Sequence, residues 1–178
     1  MAAYPPVVEA NRCNCGALRK ASRRMSQLYD SALAPCGLKS TQFAMLTEID
    51  RCGAEPPTIR QLADALVLDQ STIGQNLRPL EREGLIALAQ DEADRRSRRV
   101  RLTKAGRARI MAALPLWSAA QARFEGGFGQ QAAVELRNVL AGISRDRSLT
   151  GEDASLDNQP RPAKSSNTRR RDRAVRRQ

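Results

Sequence analysis

Histidine is absent from all 178 residues. Without it the chain can form no His-based triad, no imidazole general base and no imidazole metal site. Aromatic residues make up only 3% of the chain, too few for the stacking platforms that hold single-stranded nucleic acid. The four cysteines, Cys13, Cys15, Cys36 and Cys52, include no CxxC pair. Neither a zinc knuckle nor a disulfide framework is therefore expected. No apolar run reaches the roughly 18 residues of a membrane span, and there is no signal-peptide core. No nucleophile, base and orienter can be assembled, so an enzyme is not expected. These absences predict a cytoplasmic protein with no metal, no cofactor and no membrane partner.

What is present begins with an apolar content of 41%, enough to bury the core of one ordinary domain. The net charge of +11 is unevenly placed. From Arg161 onward eight Lys or Arg residues face one acid, a local +7 that leaves only +4 for the rest. A second basic cluster, Arg95, Arg96, Arg98, Arg99, Arg101 and Lys104, outnumbers Asp91, Glu92 and Asp94.

Helical spacing organises most of the chain. Leu18, Ala21, Met25, Leu28 and Ala32 predict a helix over 13–34, broken by Pro35 and Gly37. Ser40 opens a second helix with Phe43, Leu46 and Ile49 inward, ending near Gly53. Thr58–Leu66 is a short amphipathic helix with Ile59, Leu62, Ala63 and Leu66 on one face. Val67–Asp69 turns the chain into another helix, Gln70 to about Glu83, which buries Ile73, Leu77 and Leu80 and stops at Gly84. A strand over 85–89, a charged hairpin over 91–99 and a returning strand over 100–102 follow. Thr103 is placed to cap a long helix to about Glu125, with Ile110, Leu114, Trp117, Gln121 and Phe124 inward and a bend at Pro115. Gly126-Gly127 separates a last helix with Ala133, Leu136, Val139, Leu140 and Ile143 on one side.

Helix, short turn, helix and basic hairpin in that order predict a mainly α (α+β) winged helix-turn-helix with N- and C-terminal dimerisation helices. The expected organisation is an irregular leader (1–11), a winged domain (12–147) and a disordered basic tail (148–178). Inside the domain a reading lobe covers about 38–103, flanked by dimerisation helices over 13–34 and 104–145. A homodimer would bury the terminal stripes and set two reading helices roughly 34–36 Å apart, one turn of a palindromic duplex.

The expected partner is double-stranded DNA. Ser71, Gln75, Arg78 and Arg82 form one polar row opposite Ile73, Leu77 and Leu80. Gln75 suits adenine and Arg78 suits guanine or phosphate. Gln70, Ser71 and Thr72 open the helix, where phosphate contacts gain from the helix dipole. In the hairpin, Arg96 and Arg98 are candidates for the minor groove or phosphate, with Asp94 expected to pair with a neighbouring arginine and Arg99 or Arg101 merely solvated. A nonspecific, basic architectural nucleic-acid-binding protein is the alternative that shares the charge and the tail.

These residues resemble the MarR family of transcriptional regulators over roughly 13–145. The resemblance is carried by Leu80-Glu-Arg-Glu-Gly-Leu-Ile86, by Asp91-x-x-Asp94-Arg95-Arg96 and by Val100-Arg-Leu-Thr-Lys-Ala-Gly106, with Leu28-Tyr-Asp30 and Leu38-x-x-x-Gln-Phe43 upstream. The chain departs from it at Gly74 and at Gln75, where related sequences often have arginine. The resemblance implies a homodimeric repressor that releases a palindromic operator on binding a small aromatic or phenolic effector. Arg96 falls at a position that the family uses in the wing.

Two sensing mechanisms stay open. An apolar crevice between the dimerisation helices and the reading lobe could bind the effector, with Tyr29, Arg19, Arg23 and Trp117 as candidate lining, Tyr29 and Trp117 being equally suited to an ordinary core. Arginine beside such a crevice would favour an anionic or phenolic ligand. Alternatively, Cys15 resembles the reactive cysteine of the family's peroxide-sensing branch, Tyr29 matching one tyrosine of its cage while Arg19 and Ser40 replace others. Arg19, one helical turn on, could lower the Cys15 pKa, and Cys13 would face elsewhere on the helix.

Overall fold

The computed structural model describes residues 13–91 and 94–150. The leader over 1–11 and most of the tail thus lie outside the described residues. Two compact units divide after Leu136. The first holds α1 (Asn14–Leu33), a 3-10 turn (Ala34–Cys36), α2 (Ser40–Arg51), α3 (Ile59–Leu66), α4 (Gln70–Arg82), β1 (Ile86–Gln90), β2 (Arg98–Leu102) and α5 (Lys104–Phe128). The last helix, α6 (Gln130–Arg145), runs from the first unit into the second. In the second unit, Arg147–Thr150 forms a 3-10 turn. The fold class is mainly α with one small sheet, as expected.

Local chemistry accounts for the helix starts. Cys13 caps α1 from outside it, its Sγ accepting the Gly16 N–H at 3.3 Å. The expected helix therefore begins one residue later, and Cys13 is not on its surface. Asp30, on α1, accepts both the backbone N–H and the hydroxyl of Ser40 at 2.7 and 2.6 Å. A carboxylate from one helix thus satisfies the start of another. Thr58 and Gln61 cap α3 reciprocally, at 3.1 and 2.8 Å.

The core lies where α2, α3, α4 and the sheet converge. Leu46, Leu62, Ile73, Leu77 and Leu80 are each at most 1% exposed. Burying one such side chain stabilises by about 1.5–3 kcal/mol. The strands pair antiparallel, Ile86 opposite Leu102 through Gln90 opposite Arg98. The returning strand therefore starts two residues earlier than the apolar pattern suggested.

Val67 ends α3 with φ 53° and ψ 50°, although its side chain is 67% exposed. A β-branched residue in this left-handed region is strained by about 1–2 kcal/mol, and glycine is not. Val67→Gly is expected to gain about 0.5–1 kcal/mol after the added unfolded-state entropy, read as a rise of a few degrees in Tm. A lower Tm would mean that the valine side chain contributes packing that its exposure hides.

Two expectations for the C-terminal helices are corrected. Gly126 and Gly127 do not separate α5 from α6; the helix passes through both and ends at Gly129, φ 95°. Helical glycine costs only about 1 kcal/mol relative to alanine, so a pair weakens a helix without forbidding it. Phe124 and Phe128, one turn apart, stack across the same segment with centroids 5.1 Å apart. The buried line of α5 is Gly106, Ile110, Ala113 and Ala120, whereas Leu114 and Trp117 are 37% and 36% exposed. Small residues take the line of closest approach and leave the large ones at its margin.

Candidate nucleic-acid interface and effector crevice

The burial of α4 sorts its residues by face. Ile73, Leu77 and Leu80 are buried, while Gln70, Ser71, Gln75, Arg78 and Arg82 are exposed and Thr72 is half-buried. The structure thus brings the polar row together on one helix. Pro79 lies inside this helix. It supplies no N–H to the carbonyl one turn before it, which belongs to Gln75.

The wing is shaped by backbone contacts at its tip. Asp94 accepts the Arg96 N–H through Oδ1 at 2.9 Å, and its carbonyl accepts the Ser97 N–H at 2.8 Å. Asp94 therefore holds the loop through a main-chain amide, not through the arginine side chain expected for it. The reason is reach: a short carboxylate two residues before an amide closes on it locally. Arg95, Arg96 and Arg98 are left exposed.

Arg99 differs from the solvated tip expected for it. Its Nε donates to Oδ2 of the buried Asp91 at 2.8 Å and its Nη1 to the Pro56 carbonyl at 2.8 Å. Sequence reasoning missed this pair. Asp91 and Arg99 are diagonal neighbours across the hairpin, a relation visible only once the register is known.

The base of the wing is joined to α5 by Thr103. Its hydroxyl lies 2.7 Å from the Gly84 carbonyl and 3.0 Å from that of Leu85, and it accepts the Gly106 N–H at 3.0 Å. Arg109 extends the junction, donating to the Cys36 carbonyl at 3.0 Å with Glu83 3.8 Å away.

A cavity of about 440 Å³ opens among α1, α2 and α5. Tyr29, Leu33, Phe43, Leu114 and Trp117 give it apolar walls, with Ser40 and Thr47 at its polar points. Phe43 and Trp117 lie with ring centroids 6.4 Å apart. The Tyr29 hydroxyl donates to Gln121 Oε1, whose amide in turn donates to Glu125 at 2.7 Å. Tyr29 and Trp117 thus both line this cavity.

Arg19 and Arg23 do not line this cavity. They are exposed on α1, about 15 and 9 Å along the axis from Tyr29 at 1.5 Å per residue. Cys15 is exposed in the first turn of α1, about 21 Å from Tyr29 by the same rise. One chain alone therefore cannot bring the Tyr29 hydroxyl to that sulfur. Cys36 and Cys52 are half-buried, each thiol set against a carbonyl one turn earlier, Leu33 at 3.0 Å and Glu48 at 3.4 Å.

Comparison with known proteins agrees with this architecture. The MarR family profile matches residues 37–97, the segment from α2 to the wing. The chain is 33% identical over 98 residues to the transcriptional repressor NicR of Pseudomonas putida, a match covering 55% of this chain and 61% of NicR. The crystal structure of the M. tuberculosis transcriptional regulator MosR in complex with DNA superposes with a TM-score of 0.68 at 30% identity, covering 83% of this chain and 100% of that one. The transcriptional repressor CouR, bound to a 23-mer DNA duplex, gives a TM-score of 0.68 at 27% identity over 80% of this chain and 100% of that one. With the winged helix-turn-helix in place and MosR matched over its full length, the chain belongs to the MarR family of winged-helix transcriptional regulators.

Proposed function

We propose that this protein is a homodimeric repressor that reads a palindromic double-stranded DNA site and is released by a small aromatic effector. The carrying observation is the division of α4 into a buried apolar face and an exposed row of Ser71, Gln75, Arg78 and Arg82, beside a wing that exposes Arg96 and Arg98. Gln75 and Arg78 are the base readers, Gln70, Ser71 and Thr72 hold phosphate at the helix start, and Arg96 and Arg98 address the minor groove. MosR and CouR, both solved on DNA, support this use of the fold.

Dimerisation is supported by apolar side chains left at the surface. Leu18 on α1 is 40% exposed, Phe128 on α5 50% and Val139 on α6 60%. A second copy related by a twofold would cover such faces and repeat the reading helix at the spacing of one DNA turn.

The crevice sets the effector's chemistry. Its lining includes no cation, and its hydroxyls are engaged: Ser40 with Asp30, Thr47 with the Phe43 and Ala44 carbonyls, and Tyr29 with Gln121. An uncompensated carboxylate in such a site is unfavourable. This lining favours a neutral aromatic or phenol, which keeps the phenolic and drops the anionic half of the ligand expected beside Arg19 and Arg23. A thiol switch is the second reading, favoured by the exposure of Cys15.

One assay tests these readings: footprinting and gel shift on DNA upstream of the protein's own gene. A short, symmetric footprint that neutral phenols abolish and benzoates leave intact is the expected result. Protection of every duplex alike would overturn sequence-specific repression in favour of an architectural role. Loss of binding to organic hydroperoxide, reversed by reductant and absent in Cys15→Ser, would replace the crevice by the thiol.

A further inference from the structure

Arg99 stands in a run that reads as one basic patch, with Arg95, Arg96, Arg98 and Arg101. Its side chain, however, is only 28% exposed and that of Asp91 only 7%. The guanidinium reaches Asp91, one residue past the opposite strand, and the Pro56 carbonyl in the α2–α3 connection, with Glu55 Oε1 3.6 Å away. The backbone meets the same connection: the Val100 N–H donates to the Pro57 carbonyl at 2.8 Å, and Thr58 forms an antiparallel bridge with Arg99. Thr58 is also the cap of α3. One side chain therefore touches the hairpin and the segment from which the helix-turn-helix starts.

A two-stranded hairpin is only marginally stable by itself. Held by its own ladder alone, the wing would move relative to α4. A guanidinium, with donors in a rigid fork, can hold a carboxylate and a carbonyl at once.

We infer that Arg99 is a positioning residue for DNA reading and not a DNA contact. With Asp91 it clasps the wing to the Pro56–Thr58 segment, so that Arg96, Arg98 and the α4 row meet the duplex at a set spacing. This rests on the DNA-reading function proposed above.

Charge provides a sign test. Asp91→Asn removes an acid from a DNA-facing element, and electrostatics alone predicts tighter binding. The clasp predicts weaker binding, because the fork loses its ionic partner and the wing is released.

The experiment uses the full chain and a duplex from upstream of its own gene. Affinity and hydroxyl-radical footprints are measured for Asp91→Asn, Arg99→Ala, Arg99→Lys and the double variant Asp91→Asn/Arg99→Ala. Amide exchange at Val100 is followed without DNA. Each of Asp91→Asn and Arg99→Ala should weaken binding about tenfold, and the double variant no further than either. Protection at the flanks should fade while the centre stays, Arg99→Lys should recover part of the loss, and Val100 should exchange faster in both single variants. Binding by Asp91→Asn as tight as wild type or tighter, multiplying effects in the double variant, or unchanged Val100 exchange would each overturn the clasp. A wild-type chain without any footprint would overturn the DNA-reading function itself, and Val100 exchange alone would then report on the clasp.

Discussion

Gly106→Ala is expected to destabilise the fold by about 3 kcal/mol, the upper range for forcing a methyl into a packed site. A Cβ at this position would overlap the Leu85 carbonyl oxygen and stand 2.8 Å from Leu102 Cδ1. The carbonyl cannot yield easily, because it accepts the Thr103 N–H at 3.1 Å and lies 3.0 Å from the Thr103 hydroxyl. The same threonine caps α5 and joins both ends of the wing. Relief of the clash must therefore move either β1 or the start of α5. In thermal unfolding, a drop of about 6–12 °C should follow for a chain of this size. Gly74→Ala is the control: nothing lies within 4 Å of a Cβ there, and the backbone is helical. It should gain up to about 1 kcal/mol. Equal stability of Gly106→Ala and wild type would show that the junction tolerates the methyl, and this account of the glycine would be wrong.

Arg78→Ala is expected to weaken binding to the specific site by about 5- to 150-fold, the value of a good base contact at about 1–3 kcal/mol. Arg78 stands mid-row on the exposed face of α4. Its loss should also relax the preference at one base-pair position in each half-site, measured by binding a set of single-base variants. Arg96→Ala, at the exposed tip of the wing, should act differently. It should weaken all duplexes alike and flatten the salt slope by about one unit. The two variants thus separate reading from gripping. An Arg78→Ala protein that weakens all sequences equally would assign that side chain to phosphate. An unchanged affinity in Arg96→Ala would remove that side chain from the minor groove.

Much of this protein was legible along the chain. Periods of three and four residues placed α1 to α4, Thr103 marked the start of α5, and Gly84 marked the end of α4. The polar row of α4 followed from the same period, since whatever opposes Ile73, Leu77 and Leu80 must face out. Each of these features is local: it depends on residues within a turn or two, whose spacing is written in the sequence.

Other features depend on residues far apart. Asp91, Arg99 and Pro56 meet only because the hairpin register and the α2–α3 connection bring them together, so five arginines of similar appearance divide into exposed and clasped. Asp30 reaches the start of α2 only through the turn at 34–37. Arg19 and Arg23 share a helix with Tyr29, yet axial rise carries them away from the crevice that Tyr29 lines. Gly126-Gly127 looks like a break, but a weak helical preference yields where the turn is held by stacked rings. Spacing along the chain thus determined which elements form and which face of each is buried. Which charges remain exposed, and which side chains line the cavity, were decided by tertiary packing, because those depend on distances between elements that no local period encodes.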